Sequence, residues 1–254
     1  MADRQLPPFP MRPFLSIVIP AHNEARRLPG TLQKVLGFLA QQPYRAEVVI
    51  VENGSADATL ALARGFQEAH PNVVRVFHEA RRGKGLAVRR GMLEARGDYR
   101  FLADADLSMP IEELPRFLPP RLTDFDVAIA SRELPASRRV GEPAYRHLVG
   151  RAFNLMVQAL ALPGFRDTQC GFKCFRGEVA EDLFRHQTLE GMSFDVEILF
   201  IARRRGYRIV EVPITWHFDP DSRVRLVHDS LRMAVDLLTI RWRASRGRYD
   251  APET

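Results

Sequence analysis

Two carboxylates separated by one residue stand out in the first half of the chain, because a pair at this spacing can hold a metal ion. Asp104 and Asp106 follow an apolar run at residues 99–103 that predicts a buried strand. Alternate residues of an extended segment point the same way, so both side chains can face one cation. Mg²⁺ accepts one or two protein carboxylates and fills its other positions with ligand phosphates and water. The pair predicts a divalent cation site, with a turn or helix cap ahead of Pro110 as the alternative.

Acidic residues also follow the first two predicted strands. Glu24 closes the segment PAHNE at residues 20–24, where its carboxylate could accept hydrogen bonds from a ribose or a base. Glu52 could accept a hydrogen bond from a base N–H. The alternative role for Glu24 is to cap the helix that follows it. The alternative for Glu52 is that it belongs to an ordinary turn, in which Ser55 is the N-cap of the next helix.

A short glycine-flanked lysine opens another predicted helix. Glycines permit close backbone approach, and a helix N-terminus favours anions, so Gly83-Lys84-Gly85 predicts a contact with phosphate. The run is not a Walker motif, because the required spacing of glycines, lysine and hydroxyl residue is absent.

Strands and helices alternate along the first half at the pace of a doubly wound α/β fold. The predicted strands cover residues 14–19, 48–51, 73–77, 99–103 and 126–130, and the predicted helices between them cover 28–39, 57–70 and 85–95. The second half predicts helices at 145–162 and 195–205 and strands at 170–175 and 209–216. A mainly parallel sheet is expected, with ligands beyond the carboxyl ends of its strands.

The segment 224–243 is predicted to form an amphipathic helix. Its expected apolar face consists of Val227, Leu231, Ala234, Val235, Leu238 and Trp242. This face could pack on the sheet, or it could lie in a membrane interface, where arginines meet anionic head groups. The sequence leaves both alternatives open.

Composition excludes several classes of protein. The 254 residues are 46% hydrophobic and 27% charged, which is ordinary for a globular protein. Two cysteines exclude a disulfide-rich scaffold and a four-cysteine zinc site. The net charge of +6 comes from 34 arginines and 3 lysines against 31 acidic residues, and it favours anionic partners. No transmembrane run or signal peptide is recognisable, so we expect a cytoplasmic protein, with peripheral contact at the inner membrane face as an alternative.

Four segments in a fixed order resemble the family 2 glycosyltransferases of the GT-A fold: LSIVIPAHNEARRL, VVIVENGSADAT, RRGKGLAVRRGM and DYRFLADADLSMP. The later segments DVAIASR, DTQCGFKCFR, MSFDVEILF and VPITWHFDPDSRVRLVHDSLRM extend the resemblance to about residues 14–240. They are most similar to the branch of dolichyl-phosphate glucosyl- and mannosyltransferases. The resemblance implies one GT-A domain at 14–222, with a nucleotide-sugar half (14–131) and an acceptor half (132–222). A Pro-rich arm (1–13) and a C-terminal helix and tail (223–254) flank it.

The resemblance also implies roles for individual residues. The nucleotide-sugar site would consist of Pro20, Ala21, His22, Glu24, Glu52, Gly54, Asp57, Lys84, Asp104, Ala105, Asp106, Arg132 and Arg223. Within it, Asp104 and Asp106 would hold Mg²⁺ or Mn²⁺, and Arg132 and Arg223 would contact phosphates. Ser108 stands where the family often has Gln, so water could replace a third protein ligand. Glu52 stands where the family usually has Asp, which could alter the base contacts.

The family resemblance implies an inverting transferase that moves a hexose from a nucleotide sugar to a polyprenyl phosphate. UDP-glucose is the favoured donor, and GDP-mannose or a soluble acceptor are the alternatives. Asp167 and then Asp195 are the candidate catalytic bases, although a phosphate acceptor is already anionic and could react without one. Relatives commonly carry transmembrane segments, which are not recognisable here.

Three other classes of protein agree less well with the sequence. A nucleic-acid-binding domain fits the basic charge, but aromatic residues are only 9% and no known binding motif occurs, so no nucleic-acid partner is expected. A glycosidase could use paired carboxylates, but the Gly-Lys-Gly loop suits phosphate transfer better. A catalytically silent interaction module would not need Asp104 and Asp106.

Overall fold

Seven strands form the central sheet of the protein, in the order β3-β2-β1-β4-β7-β5-β8. The computed structural model describes residues 12–220 and 226–250. The strands are β1 (Leu15–Ala21), β2 (Ala46–Asn53), β3 (Val74–Glu79), β4 (Tyr99–Leu102), β5 (Val127–Ser131), β6 (Arg138–Val140), β7 (Lys173–Arg176), β8 (Ile209–Pro213) and β9 (Thr215–His217). The helices are α1 (Leu28–Leu39), α2 (Thr59–Ala69), α3 (Lys84–Glu94), α4 (Ala144–Leu160), α5 (Gly177–His186), α6 (Phe194–Arg204) and α7 (Leu226–Ser245), with a 3₁₀ helix at Ile111–Phe117.

The predicted α/β class and mainly parallel sheet are confirmed. All pairings in the central sheet are parallel except those of β7, which runs antiparallel to β4 and β5. β1 and β2 are almost wholly buried and apolar because helices cover both faces of the sheet. One core contains residues of α1 and α2, and the other contains residues of α3 to α7.

The sequence patterns missed several elements. The 3₁₀ helix, α5 and the short strand β6 were not predicted. The strand predicted at 209–216 is two strands, because the chain changes sheets at Ile214: β8 pairs with β5, and β9 pairs with β6 in a second, two-stranded sheet. α2 begins at Thr59, so Ser55 is not its N-cap. Asp57 instead accepts a hydrogen bond from the Thr59 amide, at 3.0 Å.

The C-terminal helix is present, and its contacts with the core come from residues outside the apolar face that the periodicity defined. Its buried side chains are Met233, Leu237, Ile240 and Ala244. Val235, Leu238 and Trp242, which the periodicity assigned to a single apolar face, are exposed. The helix is apolar on two sides. The alternative in which the predicted face packs on the core is wrong for these three residues, and the alternative of a membrane interface stays a prediction.

The domain boundaries stay a prediction. Residues 1–11 of the expected N-terminal arm and residues 221–225 before the helix lie outside the described residues.

Candidate active site

A cavity of about 260 Å³ opens at the carboxyl ends of β4 and β5, where a doubly wound sheet binds its ligands. Its walls come from the turn after β4, from α4 and the segments flanking it, from the loop before β7 and from the start of α6. Six predicted site residues line it, namely Lys84, Asp104, Asp106, Arg132, Asp167 and Asp195. The topology brings these side chains together from segments up to 111 residues apart.

Asp104 is held between a lysine and a glycine. Its Oδ1 lies 2.7 Å from Lys84 Nζ. Its Oδ2 lies against Gly171, where a Cβ atom would come within 1.8 Å of that oxygen. A side chain at position 171 would therefore occupy the space of the carboxylate, so glycine leaves Asp104 its place on the cavity wall.

Asp106 lies on a turn rather than on the extended segment that the sequence predicted. β4 ends at Leu102, and the Leu107 amide donates to the Asp104 carbonyl at 3.1 Å. Asp106 Oδ1 accepts a hydrogen bond from the Ser108 amide at 3.0 Å. Burial, followed by the charge of Asp104, raises the pKa of Asp106. Two carboxylates that repel each other this way attract a divalent cation.

The start of α3 differs from the sequence expectation. The amides of Gly85 and Leu86 donate to the carbonyls of Gly191 and Glu190, each at 3.2 Å, instead of facing an open anion site. A Cβ at position 85 would lie 2.6 Å from the Leu189 carbonyl oxygen. The glycine therefore lets the loop at 189–191 close over the helix terminus.

Lys84 is the part of this motif that faces the cavity. Burial disfavours its charge, but the carboxylates of Asp104, Asp195 and Asp106 together raise its pKa. Lys84 therefore carries a positive charge beside the carboxylate pair.

Arg132 and Asp167 form a bidentate ion pair on the opposite wall. Asp167 accepts hydrogen bonds from Arg132 Nε at 2.7 Å, Nη2 at 3.0 Å and the backbone amide at 3.0 Å. Burial opposes the charge of Asp167, but Arg132 outweighs it and lowers the pKa to about 2. The guanidinium also stacks over Trp216, 5.4 Å from its ring centre. Asp167 is thus a fixed counter-ion of Arg132, and its role as a base stays a prediction.

Asp195 is paired with a lysine that sequence reasoning did not single out. Lys173 is 1% exposed, and its Nζ donates to Asp195 Oδ1 and to the Cys170 carbonyl, each at 2.6 Å. Burial raises the pKa of Asp195, and the charges of Lys173 and Lys84 oppose that rise. The pair joins β7 to the first turn of α6 at the floor of the cavity.

The residues expected to contact the nucleoside lie in two neighbouring loops, after β1 and β2. Both carboxylate oxygens of Glu24 accept hydrogen bonds from Arg27, at 2.6 and 2.7 Å. Glu52 is buried and accepts from the Ser55 amide at 2.5 Å and from His78 Nδ1 at 2.6 Å.

The same two loops are tied together by further hydrogen bonds. His22 Nδ1 donates to the Asn53 carbonyl at 2.7 Å, and Asp57 Oδ2 accepts from the Ala25 amide at 3.1 Å. Arg27 also donates to Asp219 at 2.6 Å, and Asp219 lines the cavity. The loops are thereby connected to the cavity wall, although they do not line it.

The remaining predicted residues that the structure describes contribute through their backbone atoms or their backbone conformation. Pro20 and Ala21 close β1 and pair with Val51 and Glu52. The other two residues are Gly54, which adopts a positive φ of 65° in the turn after β2, and Ala105, whose carbonyl accepts the Thr31 hydroxyl at 2.6 Å. Arg223 lies outside the described residues.

Sequence reasoning missed a set of polar side chains that line the same cavity. They are Glu133, Arg139, Glu142, Arg166 and Asp219, with the aromatic ring of Trp216. Arg139 forms ion pairs with Glu133 and Glu142, and its guanidinium lies 5.9 Å from the Trp216 ring centre. Trp216 and Asp219 belong to the motif VPITWHFDPDSRVRLVHDSLRM. The pairing of β6 with β9, which brings Arg139 to Trp216, has no periodic signal in the sequence.

The mainly parallel sheet with helices on both faces, and the two carboxylates beyond β4, are typical of a GT-A type glycosyltransferase. The family described as Glycosyl transferase family 2 matches residues 16–184. The chain therefore belongs to glycosyltransferase family 2.

Similar curated proteins share one activity in their names. The dolichyl-phosphate beta-glucosyltransferase of Drosophila melanogaster is 35% identical over 240 residues, covering 89% of this chain and 74% of its own. The human protein of the same name is 33% identical over 254 residues, covering 94% and 78%. The one from Dictyostelium discoideum is 33% identical over 243 residues, covering 91% and 74%.

Solved structures share the fold at low identity. Mannosyl-3-phosphoglycerate synthase from Rubrobacter xylanophilus has a TM-score of 0.65 at 20% identity, covering 95% of this chain and 77% of its own. Glucosyl-3-phosphoglycerate synthase from Mycobacterium tuberculosis, solved with Mn²⁺, UDP-glucose and phosphoglyceric acid, has a TM-score of 0.62 at 17% identity, with coverages of 95% and 81%. Within residues 12–220 and 226–250, no helix is both long and apolar enough to span a bilayer.

Proposed function

We propose that this glycosyltransferase moves glucose from UDP-glucose to a polyprenyl phosphate, with inversion at the anomeric carbon and with Mg²⁺ or Mn²⁺ bound. The observation that carries the proposal is the set of relatives named for transfer to dolichyl phosphate, which cover nine tenths of this chain. The cavity supports it, because it joins a carboxylate pair to arginines that suit phosphates.

The donor side fits a divalent cation. Asp104 and Asp106 would hold the metal, and donor phosphates and water would complete its shell, since no group of three or more candidate ligands occurs among the described residues. The space that Gly171 leaves for the Asp104 carboxylate and the raised pKa of Asp106 both suit the binding of a cation. When bound, the cation would neutralise charge on the departing diphosphate. Lys84 would contact the same phosphates, and the loops holding Glu24 and Glu52 would bind the nucleoside.

The acceptor would need to transfer no proton to the protein. A phosphate oxygen of the acceptor forms a bond to the anomeric carbon while the bond from that carbon to the diphosphate breaks, and the electron pair leaves with UDP. Because the acceptor is already anionic, we assign Asp167 to holding Arg132 rather than to accepting a proton. Its pKa of about 2 and its bidentate pairing support this assignment. Arg132 would then orient the acceptor phosphate.

The test is nucleotide release from UDP-, GDP- and dTDP-sugars, each with Mg²⁺, Mn²⁺ or EDTA, and with or without a short polyprenyl phosphate. We expect metal-dependent release of UDP from UDP-glucose that the lipid phosphate stimulates. Asp106→Asn is the inactive control. Release of nucleotide from GDP-mannose alone would mean that GDP-mannose is the donor instead of UDP-glucose. Release at the same rate with and without the lipid phosphate would mean that the acceptor is a different molecule. Absence of release from every donor would overturn the proposal.

A further inference from the structure

Most exposed large apolar side chains of the described residues lie on two helices. Seven of nine belong to α4 and α7: Tyr145, Leu148, Val149 and Leu155 on α4, and Val235, Leu238 and Trp242 on α7. Leu148 is 71% exposed and Trp242 is 56% exposed. Such clustering differs from the scattered exposed hydrophobics of an ordinary surface.

The exposed residues of α4 follow helical spacing. Tyr145, Leu148, Ala152, Leu155 and Ala159 recur at intervals of three and four residues, and all are exposed. The helix packs on the core through its other side, with Phe153 and Val157. α4 therefore carries a second apolar stripe that no element of the described chain covers.

The two stripes lie on neighbouring helices. α4 packs against α7, and Arg241 of α7 donates to the Leu160 carbonyl at the end of α4, at 2.7 Å. We call the exposed side chains of the two stripes the α4–α7 face. The cavity opens beside this face, because Val149 of α4 both lines the cavity and is exposed, and Met233 of α7 lines it too.

Charge around the α4–α7 face is positive. α4 contains no Asp or Glu. Within residues 233–245 of α7, the one carboxylate is Asp236, which accepts the Ser193 hydroxyl at 2.6 Å. Arg241 and Arg246 are exposed on and just after α7, and Arg246 stacks on Trp242, 4.4 Å from its ring centre. Arg151 of α4 is also exposed and pairs with Glu133 at 3.1 Å. Apolar side chains rimmed by arginines, with a tryptophan among them, suit an interface of acyl chains and anionic head groups.

We propose that the α4–α7 face docks on an anionic lipid bilayer and so places the cavity mouth at the membrane surface. The choice of a bilayer as the partner of this face rests on the proposed function, since a polyprenyl phosphate resides in a bilayer and its phosphate must reach Arg132. The apolar tail of the acceptor then stays in the lipid while its head group enters the cavity past Val149. The inference goes beyond the predicted contact through the C-terminal helix, because it makes α4 half of the surface.

The experiment measures binding of the full chain to vesicles of phosphatidylcholine alone and of phosphatidylcholine with 30% phosphatidylglycerol (roughly the anionic content that attracts basic surfaces). Flotation gives the bound fraction, and the emission of Trp242 reports its burial, with Trp242→Phe to assign the signal. We expect binding to the anionic vesicles, weakened by salt, with a blue shift of Trp242. The variant Leu148→Glu/Leu155→Glu should lower the partition coefficient at least about 10-fold, because buried charge is costly in lipid.

The matched control is Gln33→Glu/Ala61→Glu, which adds the same two charges at exposed positions of α1 and α2, across the sheet. It should bind vesicles as the wild type does. Circular dichroism and UDP-glucose binding show whether each variant is folded, and Leu238→Glu on α7 is the second test if the α4 variant unfolds. Binding that is unchanged in both Leu→Glu variants overturns the proposal. So does a wild-type dimer that becomes monomeric in the α4 variant, because the face would then join two copies.

A water-soluble acceptor separates this proposal from the proposed function. Transfer to geranyl phosphate in solution, together with no binding of the wild type to anionic vesicles, would leave the function standing and overturn the docking surface. Binding of the wild type that the α4 variant loses, with no transfer to any prenyl phosphate, would support the surface and overturn the function.

Discussion

Gly171→Ala tests whether the cavity is built around the carboxylate of Asp104. The added Cβ would lie 1.8 Å from Asp104 Oδ2, so the carboxylate must retreat by about 1.2 Å to reach the 3.0 Å below which such contacts essentially never occur. Metal–ligand distances tolerate changes of only about 0.2 Å. The Asp104 side chain must therefore rotate away from its place beside Lys84, since the backbone of the turn is fixed by the Leu107 amide.

The expected effect is on metal affinity rather than on folding. A misplaced ligand weakens a metal site by about 10- to 100-fold. Mn²⁺ titration followed by electron paramagnetic resonance, in the presence of UDP, measures this directly. The activation constant for Mn²⁺ in the transfer assay should rise in parallel, while the KM for the lipid phosphate changes little.

Gly150→Ala is the matched control. Gly150 also lines the cavity, but a Cβ there meets nothing within 4 Å, and alanine suits its position in α4. We expect unchanged Mn²⁺ affinity and an unchanged or slightly higher midpoint of thermal unfolding. If Gly171→Ala binds Mn²⁺ as tightly as Gly150→Ala does, then Asp104 is not a metal ligand or the turn yields freely, and the reasoning is refuted.

Three further predictions concern single carboxylates. Asp106→Asn should lower kcat by about 100-fold or more, because the cation supplies several kcal/mol of transition-state stabilisation. The variant should be as thermally stable as the wild type or more stable, since burial disfavours the charge of Asp106. Normal turnover by the purified variant would show that Asp106 is not a metal ligand. Asp167→Asn should lower the free energy of unfolding at pH 7 by about 2 kcal/mol, because the native pKa is about 2 against an ordinary 3.8. That contribution is fully present above about pH 4 and is lost as pH falls toward 2, so urea unfolding curves of wild type and variant should converge at low pH; a difference that stays constant with pH would contradict the Arg132 pairing. Glu24→Ala should raise the KM for UDP-glucose roughly 10-fold, the loss expected for one charged hydrogen-bonding group, whereas an unchanged KM in initial-rate kinetics would remove Glu24 from the nucleoside pocket.

β1 and β2 were predictable because each contains a run of apolar, β-branched residues buried on both faces of the sheet. β3 is a partly buried edge strand marked by its valines, and β4 is a short buried segment. β1, β2, β3 and β4 occur close to their predicted places, and Asp104 and Asp106 follow β4 as expected. The family followed from ordered motifs that surround these strand ends. Such local patterns survive in a sequence because each strand and its following loop are contiguous in the chain.

Partnerships between distant residues were not predictable. Nothing local indicates that Asp167 pairs with Arg132, that Lys173 pairs with Asp195, or that Gly171 backs onto Asp104. These contacts depend on β7 entering the sheet antiparallel between β4 and β5. An insertion of this kind depends on which strands already lie side by side, and a periodicity along one segment carries no information about its neighbours.

The sequence by itself determined the α/β class, the family and the pair of carboxylates after β4, because those depend on residue types within short segments. The tertiary structure decided which charges neutralise each other in the cavity and which side of each helix meets the core. α7 shows the difference: its sequence is apolar on two sides, and only packing against α4 and α6 selected Leu237 and Ile240 for burial and left Leu238 and Trp242 outside. Burial is a property of the neighbours a side chain receives, and the fold assigns those neighbours.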